Sequence, residues 1–301
     1  MSESLPAPPP PAPAGVIHDI GYRHYDGPRL GRGHAAAALA VHSLRGVFGL
    51  GRTARAKIIP FVLFGIMMLP AVVSIAMMAI LQERGVRYTE YAIVMQAIPA
   101  IFLASQSPYT VAPDLRFRVL PLYLSRPVTL WDYVGAKLAA MTAALFLLTA
   151  VPLTVLFVGE LVVDMPGAVR TSEYLAGMAG ALALSVLLAA LGVAIASFTP
   201  RRGLGVAAVI AFYLLSTGVS TAVGRVLEQA GDFAAASWAW LISPFFLVDA
   251  AVQVGVFGMD GSGPGGYPEG VGVAAAIMIM VGLIALSVVA LIARYRKAAS
   301  R

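Results

Sequence analysis

Six stretches of this chain are long and apolar enough to cross a lipid bilayer, and they leave it few other ways to fold. A hydrocarbon layer about 30 Å thick takes ~20 apolar residues in helical form. Residues 58 to 81, 91 to 112, 134 to 158, 174 to 198, 204 to 224 and 271 to 293 meet that requirement. With 59% of its 301 residues hydrophobic and 12% charged, the chain has more apolar surface than one soluble core would bury. The expectation is an all-α polytopic membrane protein with six transmembrane helices.

An even number of spans puts both termini on one side, and the basic residues decide which. With the termini inside, the inner segments hold seventeen of the 21 Lys and Arg residues, leaving Arg84, Arg87, Arg170 and Arg225 outside. The positive-inside rule therefore places both termini in the cytoplasm. It also accounts for the net charge of +6 without any nucleic-acid partner. The absence of cysteine excludes disulfides, thiolate metal sites and cysteine nucleophiles.

Residues 1–33, with "PAPPPPAPA", read as a disordered, Pro-rich and basic cytoplasmic tail. The first long apolar run begins only at Ile58, too late for a secretory signal, so the first span is expected to remain in the mature protein. Over 34–57, Ala37, Val41, Leu44 and Phe48 share one helical face, opposite His42, Arg45 and Arg52. That pattern predicts a helix lying in the cytoplasmic interface, followed by a joint into the first span.

Within the outer loop, 225–270, the stretch from Trp238 to Gly258 is long enough to span but contains Pro244, Asp249 and Gln253. A seventh span would move the basic tail, 294–301, outside. The stretch is therefore expected to be re-entrant or interfacial, with Trp238, Trp240, Phe245 and Phe246 at headgroup depth.

Little here supports catalysis. "GVFGLGRT", residues 46–53, imitates a phosphate-binding loop but has Arg52 where the lysine belongs, follows no strand, and reads as a glycine-loosened joint. The four histidines lack zinc-ligand spacing, no G-x-S-x-G elbow occurs, and no paired carboxylates lie within a span. No metal site and no enzymatic activity of the chain itself are expected. The acids outside, among them Glu160, Glu173 and Asp249, look like the complement of charge sorting. In the second span Gln96, Ser105, Gln106 and Ser107 are polar groups that must face protein or water. They serve either helix–helix hydrogen bonding or a substrate path, for which Gln96, Ser105 and Gln106 are the candidates. Gly177, Gly180, Ala181 and Gly192 suit close packing in the fourth span.

The segment 113–132, "PDLRFRVLPLYLSRPVTLWD", is the inner connection between the second and third spans and is longer than a hairpin needs. Asp114 can cap a short helix carrying Leu115, Val119 and Leu122 on one face, with Arg116 and Arg118 elsewhere. Trp131 and Tyr133 mark re-entry to the interface, and Lys137 can snorkel to the headgroups.

"LPLYLSRPVTLWDYVGAK", Leu120 to Lys137, resembles the inner loop of the membrane subunits of type 2 ABC transporters: an apolar pair, Ser-Arg-Pro, then an aromatic re-entry ending in Gly-x-Lys. It departs from that family's pattern at Leu130, where a basic residue is common. The resemblance implies a permease subunit, an exporter, in a bacterial cytoplasmic membrane. It would pair with a second permease copy or a homologue and with two copies of a separate ATPase that binds ATP and Mg. The coupling helix would lie within 114–126, with Asp114, Arg116, Arg118, Ser125 and Arg126 as polar contacts and Leu115, Val119, Leu122 and Leu124 as apolar fillers. The residues alone also admit a membrane anchor or sensor scaffold that recruits a cytoplasmic partner through the same loop without transport.

Overall fold

The computed structural model describes residue 27 and residues 30–117, 119–125, 128–163, 165–199 and 201–299. The Pro-rich segment, Arg118, Arg126 and the side chain of Leu124 lie outside that set. Every described element is helical: α1 (Arg32–Val47), α2 (Ala54–Leu81), α3 (Tyr91–Val94), α4 (Ala97–Arg116), α5 (Leu120–Leu124), α6 (Leu130–Val162), α7 (Thr171–Phe198), α8 (Arg202–Gln229), α9 (Phe233–Trp240), α10 (Pro244–Val248) and α11 (Val271–Ala299). Five of them, α2, α6, α7, α8 and α11, are long and apolar enough to cross a membrane. This is the build of a multi-pass membrane protein.

Burial separates the long helices into layers. In its most apolar stretch α7 is 72% buried, whereas α8 is 17% buried. Accordingly α7 is the central helix, packed on α4, α6, α8 and α11, while α2, α8 and α11 leave apolar faces uncovered by protein. Those bare faces, such as Leu214 and Leu215 on α8, are what lipid would solvate.

The small residues of α7 permit its central position. A Cβ at Gly177 would meet the Tyr88 carbonyl oxygen at 2.9 Å, one at Gly180 would meet the Gln253 amide nitrogen at 2.2 Å, and one at Gly192 would meet Leu103 Cδ1 at 2.4 Å. The neighbours differ in their ability to yield. Gly177→Ala is expected to lower the melting temperature of the purified protein despite its gain in helix propensity, because backbone must shift, at about 1–3 kcal/mol. Gly180→Ala should cost less, because a side-chain amide can swing aside.

The expected second span, 91–112, is not one continuous helix. Met95 and Gln96 interrupt it between α3 and α4, and α4 then runs past the expected end to Arg116. This helix is less apolar because protein, rather than lipid, surrounds it: it packs on α2, α6, α7 and α8. Its polar residues thus meet other helices.

Before α2 the chain turns through 48–53, where Gly49 and Gly51 have φ of +69° and +82°. At Gly49 a Cβ would also meet the Ala56 carbonyl oxygen at 2.6 Å, so this is a glycine joint, and α2 begins at Ala54, four residues before the expected span. α1 lays Leu39, Ser43 and Val47 toward α6 and α4 and leaves Val41 56% exposed.

The stretch after α8 is broken rather than spanning straight. α9 and the helix starting at Pro244 meet at 99°, and from Asp249 to Val254 the second piece winds as a π-helix. The aromatic residues expected at headgroup depth divide: Trp238 is half-exposed, but Trp240, Phe245 and Phe246 are buried in protein. Trp240 packs edge-on to Phe246 and against Gly224, where no side chain blocks the indole. The bend folds their faces onto α8 and α7, so protein replaces the interface as their environment.

Candidate functional site

The end of the bundle that carries the connection between α4 and α6 is built around one buried ion pair. Because α4 continues through Pro113, Asp114 caps no loop helix; it sits in the last turn of α4 with its carboxylate turned inward. Lys137 Nζ on α6 lies 2.9 Å from that carboxylate and also donates to the Thr110 carbonyl at 3.0 Å, and Tyr133 donates its hydroxyl to Asp114. Lys137 is 8% exposed, so it does not snorkel: a buried ammonium is stable only with such partners, and Asp114 is within reach. Tyr123 from α5 and Tyr295 from α11 pack on the Tyr133 ring at 5.5 and 5.3 Å. Burial, and then the Asp114 charge, push the Tyr123 phenol up, keeping it neutral.

On this base stands the connection between α4 and α6. Pro121 in the first turn starts α5, whose preceding residue is Val119. Leu122 and Phe117 are each 69% exposed, the Arg116 guanidinium lies 5.6 Å from the Phe117 ring centre, and Ser125 donates to the Leu122 carbonyl. The expected docking residues therefore divide. Arg116, Leu122 and Ser125 face outward, while Asp114, Leu115 and Val119 are half-buried and hold the loop down. Between the loop and α1 lies a cavity of about 670 Å³, lined among others by Leu39, His42, Val119 and Tyr123.

The far end of the loop is fastened by α6's own start. Thr129 and Asp132 form a reciprocal capping box, and Arg32 of α1 grips Asp132 through two nitrogens, at 2.6 and 3.0 Å, and Thr129 at 2.8 Å. Trp131, 58% exposed, is the aromatic residue that does face outward at this re-entry. Arg52 lies 3.6 Å over the Tyr109 ring, so the arginine of the imitation phosphate loop is engaged in packing.

The substrate-path candidates are not gathered into one site. Gln96 stands at the start of α4 with a buried side-chain oxygen lacking a partner, while Ser105 and Gln106 lie more than two turns on, joined by a 3.1 Å hydrogen bond. Gln106 and Ser107 are buried among neighbouring helices.

The opposite end holds a second polar cluster that the sequence reading did not identify. Glu160, 2% exposed, accepts from the Tyr88 hydroxyl at 2.5 Å and pairs with Arg170 at 3.3 Å and Arg84 at 3.6 Å. Glu173 pairs with Arg87 at 3.4 Å and Arg170 at 3.5 Å and accepts from the Tyr88 amide. Burial, followed by Glu160, pushes the Tyr88 phenol up, so it remains a donor. With Arg225 held by Glu228 at 3.0 Å, all four arginines counted as outside are ion-paired. The signal was available: each exception to the charge rule has an acid within reach of a neighbouring span end.

Among the described residues no group of three or more His, Asp or Glu side chains is placed to hold a metal ion. No protein-family model matches this sequence, and no characterised protein matches it significantly.

Proposed function

We propose that this chain is the permease subunit of an ATP-binding-cassette transporter, exporting a substrate across a bacterial cytoplasmic membrane, with both termini in the cytoplasm. Six spans then include the α3–α4 pair as the second, and the bent α9–α10 segment is re-entrant. The orientation is supported by the arginines: those at the Glu160 end are ion-paired, whereas among the described residues Arg116 and Arg55 at the loop end have no carboxylate partner.

The observation that carries the reading is the braced loop. A five-residue helix presents exposed Leu122 beside Arg116, and its base is fixed to α4, α6 and α11 by the Asp114–Lys137 pair and the tyrosine cluster. Such a base lets a force on α5 reach three long helices, as coupling to a separate ATPase requires. In this reading two ATPase subunits, which bind ATP and Mg, seat on Arg116, Arg118, Leu122, Leu124, Ser125 and Arg126 of a permease pair. Asp114, Leu115 and Val119 position the helix. Gln96, Ser105 and Gln106 contribute to the substrate path only after rearrangement or pairing with the second permease. ATP can drive transport only through a difference in docking contacts between the two permease states.

Affinity purification of the full chain from its native membrane should bring down a Walker-motif ATPase. Leu122→Glu or Arg126→Glu should weaken that association about tenfold or more, as expected for a central interface residue. Recovery of a non-ATPase partner that is lost with the same substitutions would favour an anchor or scaffold. Indifference of any ATPase partner to both substitutions would end the docking reading.

A further inference from the structure

A small void that the reading above does not use lies among α3, α6, α7, α10 and the π-helical segment. Thr89, Asp249 and Gln253 are its polar side chains, set among Tyr88, apolar residues such as Leu153, Leu184 and Phe245, and the bare backbone of Gly177 and Gly180, and its volume is about 20 Å³. A void of that size holds one water or one bare ion, not an organic ligand. The three polar residues are 4%, 3% and 3% exposed, and both Thr89 Oγ1 and Gln253 Oε1 lack a hydrogen-bond partner. A buried oxygen left without a donor costs about 1–3 kcal/mol, so two at one void call for an occupant.

Asp249 supplies the charge. Its Oδ2 accepts from the Ser262 amide and the Tyr267 hydroxyl, both at 2.7 Å, while Oδ1 has only the Ser262 hydroxyl at 3.4 Å. Among the described residues no Lys, Arg or His forms an ion pair with it. A buried carboxylate without a cationic neighbour is costly unless something else neutralises it. Asp249 and Gln253, four residues apart in the π-helical segment, lie on one face of it.

We propose that this void is a binding site for one small monovalent cation of sodium size, ligated by Asp249, Gln253 and Thr89. An all-oxygen donor set selects a hard cation, and a single carboxylate among neutral oxygens balances one positive charge rather than two. Broken helices in the membrane offer such sites because their side chains and backbone are not committed to a regular ladder.

The test uses the full chain purified in detergent, melted in sodium chloride and in N-methyl-D-glucamine chloride at equal ionic strength, with equilibrium binding of radioactive sodium alongside. Sodium should raise the melting temperature saturably, by about 2–4 °C, and about one ion should bind per chain. Asp249→Asn should abolish both effects. Thr89→Val, nearly isosteric, should melt at or above the parent without sodium but need at least about tenfold more sodium for the same rise; it carries the test if Asp249→Asn does not fold. Equal melting in the two salts, or sodium binding unchanged by Thr89→Val and Asp249→Asn, overturns the proposal and leaves the void to water.

Discussion

Lys137→Met is expected to lower the melting temperature of the purified protein by roughly 6–12 °C, the largest effect of any single change at the inner end. The substitution keeps the length and apolar stem of the side chain but leaves the Asp114 carboxylate half-buried, without its counterion 2.9 Å away. Breaking a buried pair in this way costs about 3 kcal/mol or more, because the remaining charge stays largely shielded from water. The double variant Asp114→Leu/Lys137→Met removes both charges and should recover most of the loss. That contrast is the decisive measurement: if the double variant is no more stable than Lys137→Met, the pair is not what fixes α4 to α6. In the proposed permease, recovered stability with lost coupling to a co-purified ATPase would separate holding the fold from transmitting force.

At the other end Glu160→Ala is expected to cost about 3 kcal/mol, read again as a fall in melting temperature. It leaves Arg170 and Arg84 without their shared carboxylate and the Tyr88 hydroxyl without an acceptor. Tyr88→Phe should cost less, about 1.5–3 kcal/mol, because it removes one hydrogen bond to a charged group and leaves both ion pairs. Glu160→Gln should fall between, since the amide oxygen can still accept from Tyr88. A Glu160→Ala protein melting within about a degree of the parent would show that the cluster is solvated and contributes little.

Long uniform apolar runs made the five strongest spans legible, since a bilayer admits few solutions for such segments. Element ends were harder to read. Pro113 looks like the end of a helix, yet α4 continues for three more residues, and Asp114 gains a salt bridge by staying helical. The segment proposed for docking stands out in the sequence by its length and its Leu and Arg pattern. Its division into an outward face at Arg116 and Leu122 and an inward face at Asp114 and Leu115 does not, because that division depends on a residue 23 positions further on, Lys137. In the sequence Glu160 and Asp249 read as acids in loops or at span edges that complement charge sorting, because charge is usually solvated. Their burial follows from long-range partners, Tyr88 and Tyr267, whose pairing no local pattern encodes. Trp240 was misplaced for a related reason: an aromatic near a membrane boundary faces the headgroups unless a bend turns it inward.

Helix α6 carries one member of each buried charge cluster, Lys137 near one end and Glu160 near the other. At about 1.5 Å per residue the two lie about 34 Å apart along the axis, slightly more than a typical hydrocarbon layer. The helix thus acts as a gauge with two fixed marks. Moving either mark into the oil would carry its more exposed neighbours, Arg84 and Arg87 at one end and Arg32 at the other, into hydrocarbon, so a thicker bilayer must compress or deform around the protein, while a thinner one is met by tilting. The thickness of the host membrane is therefore written into the separation of these two residues.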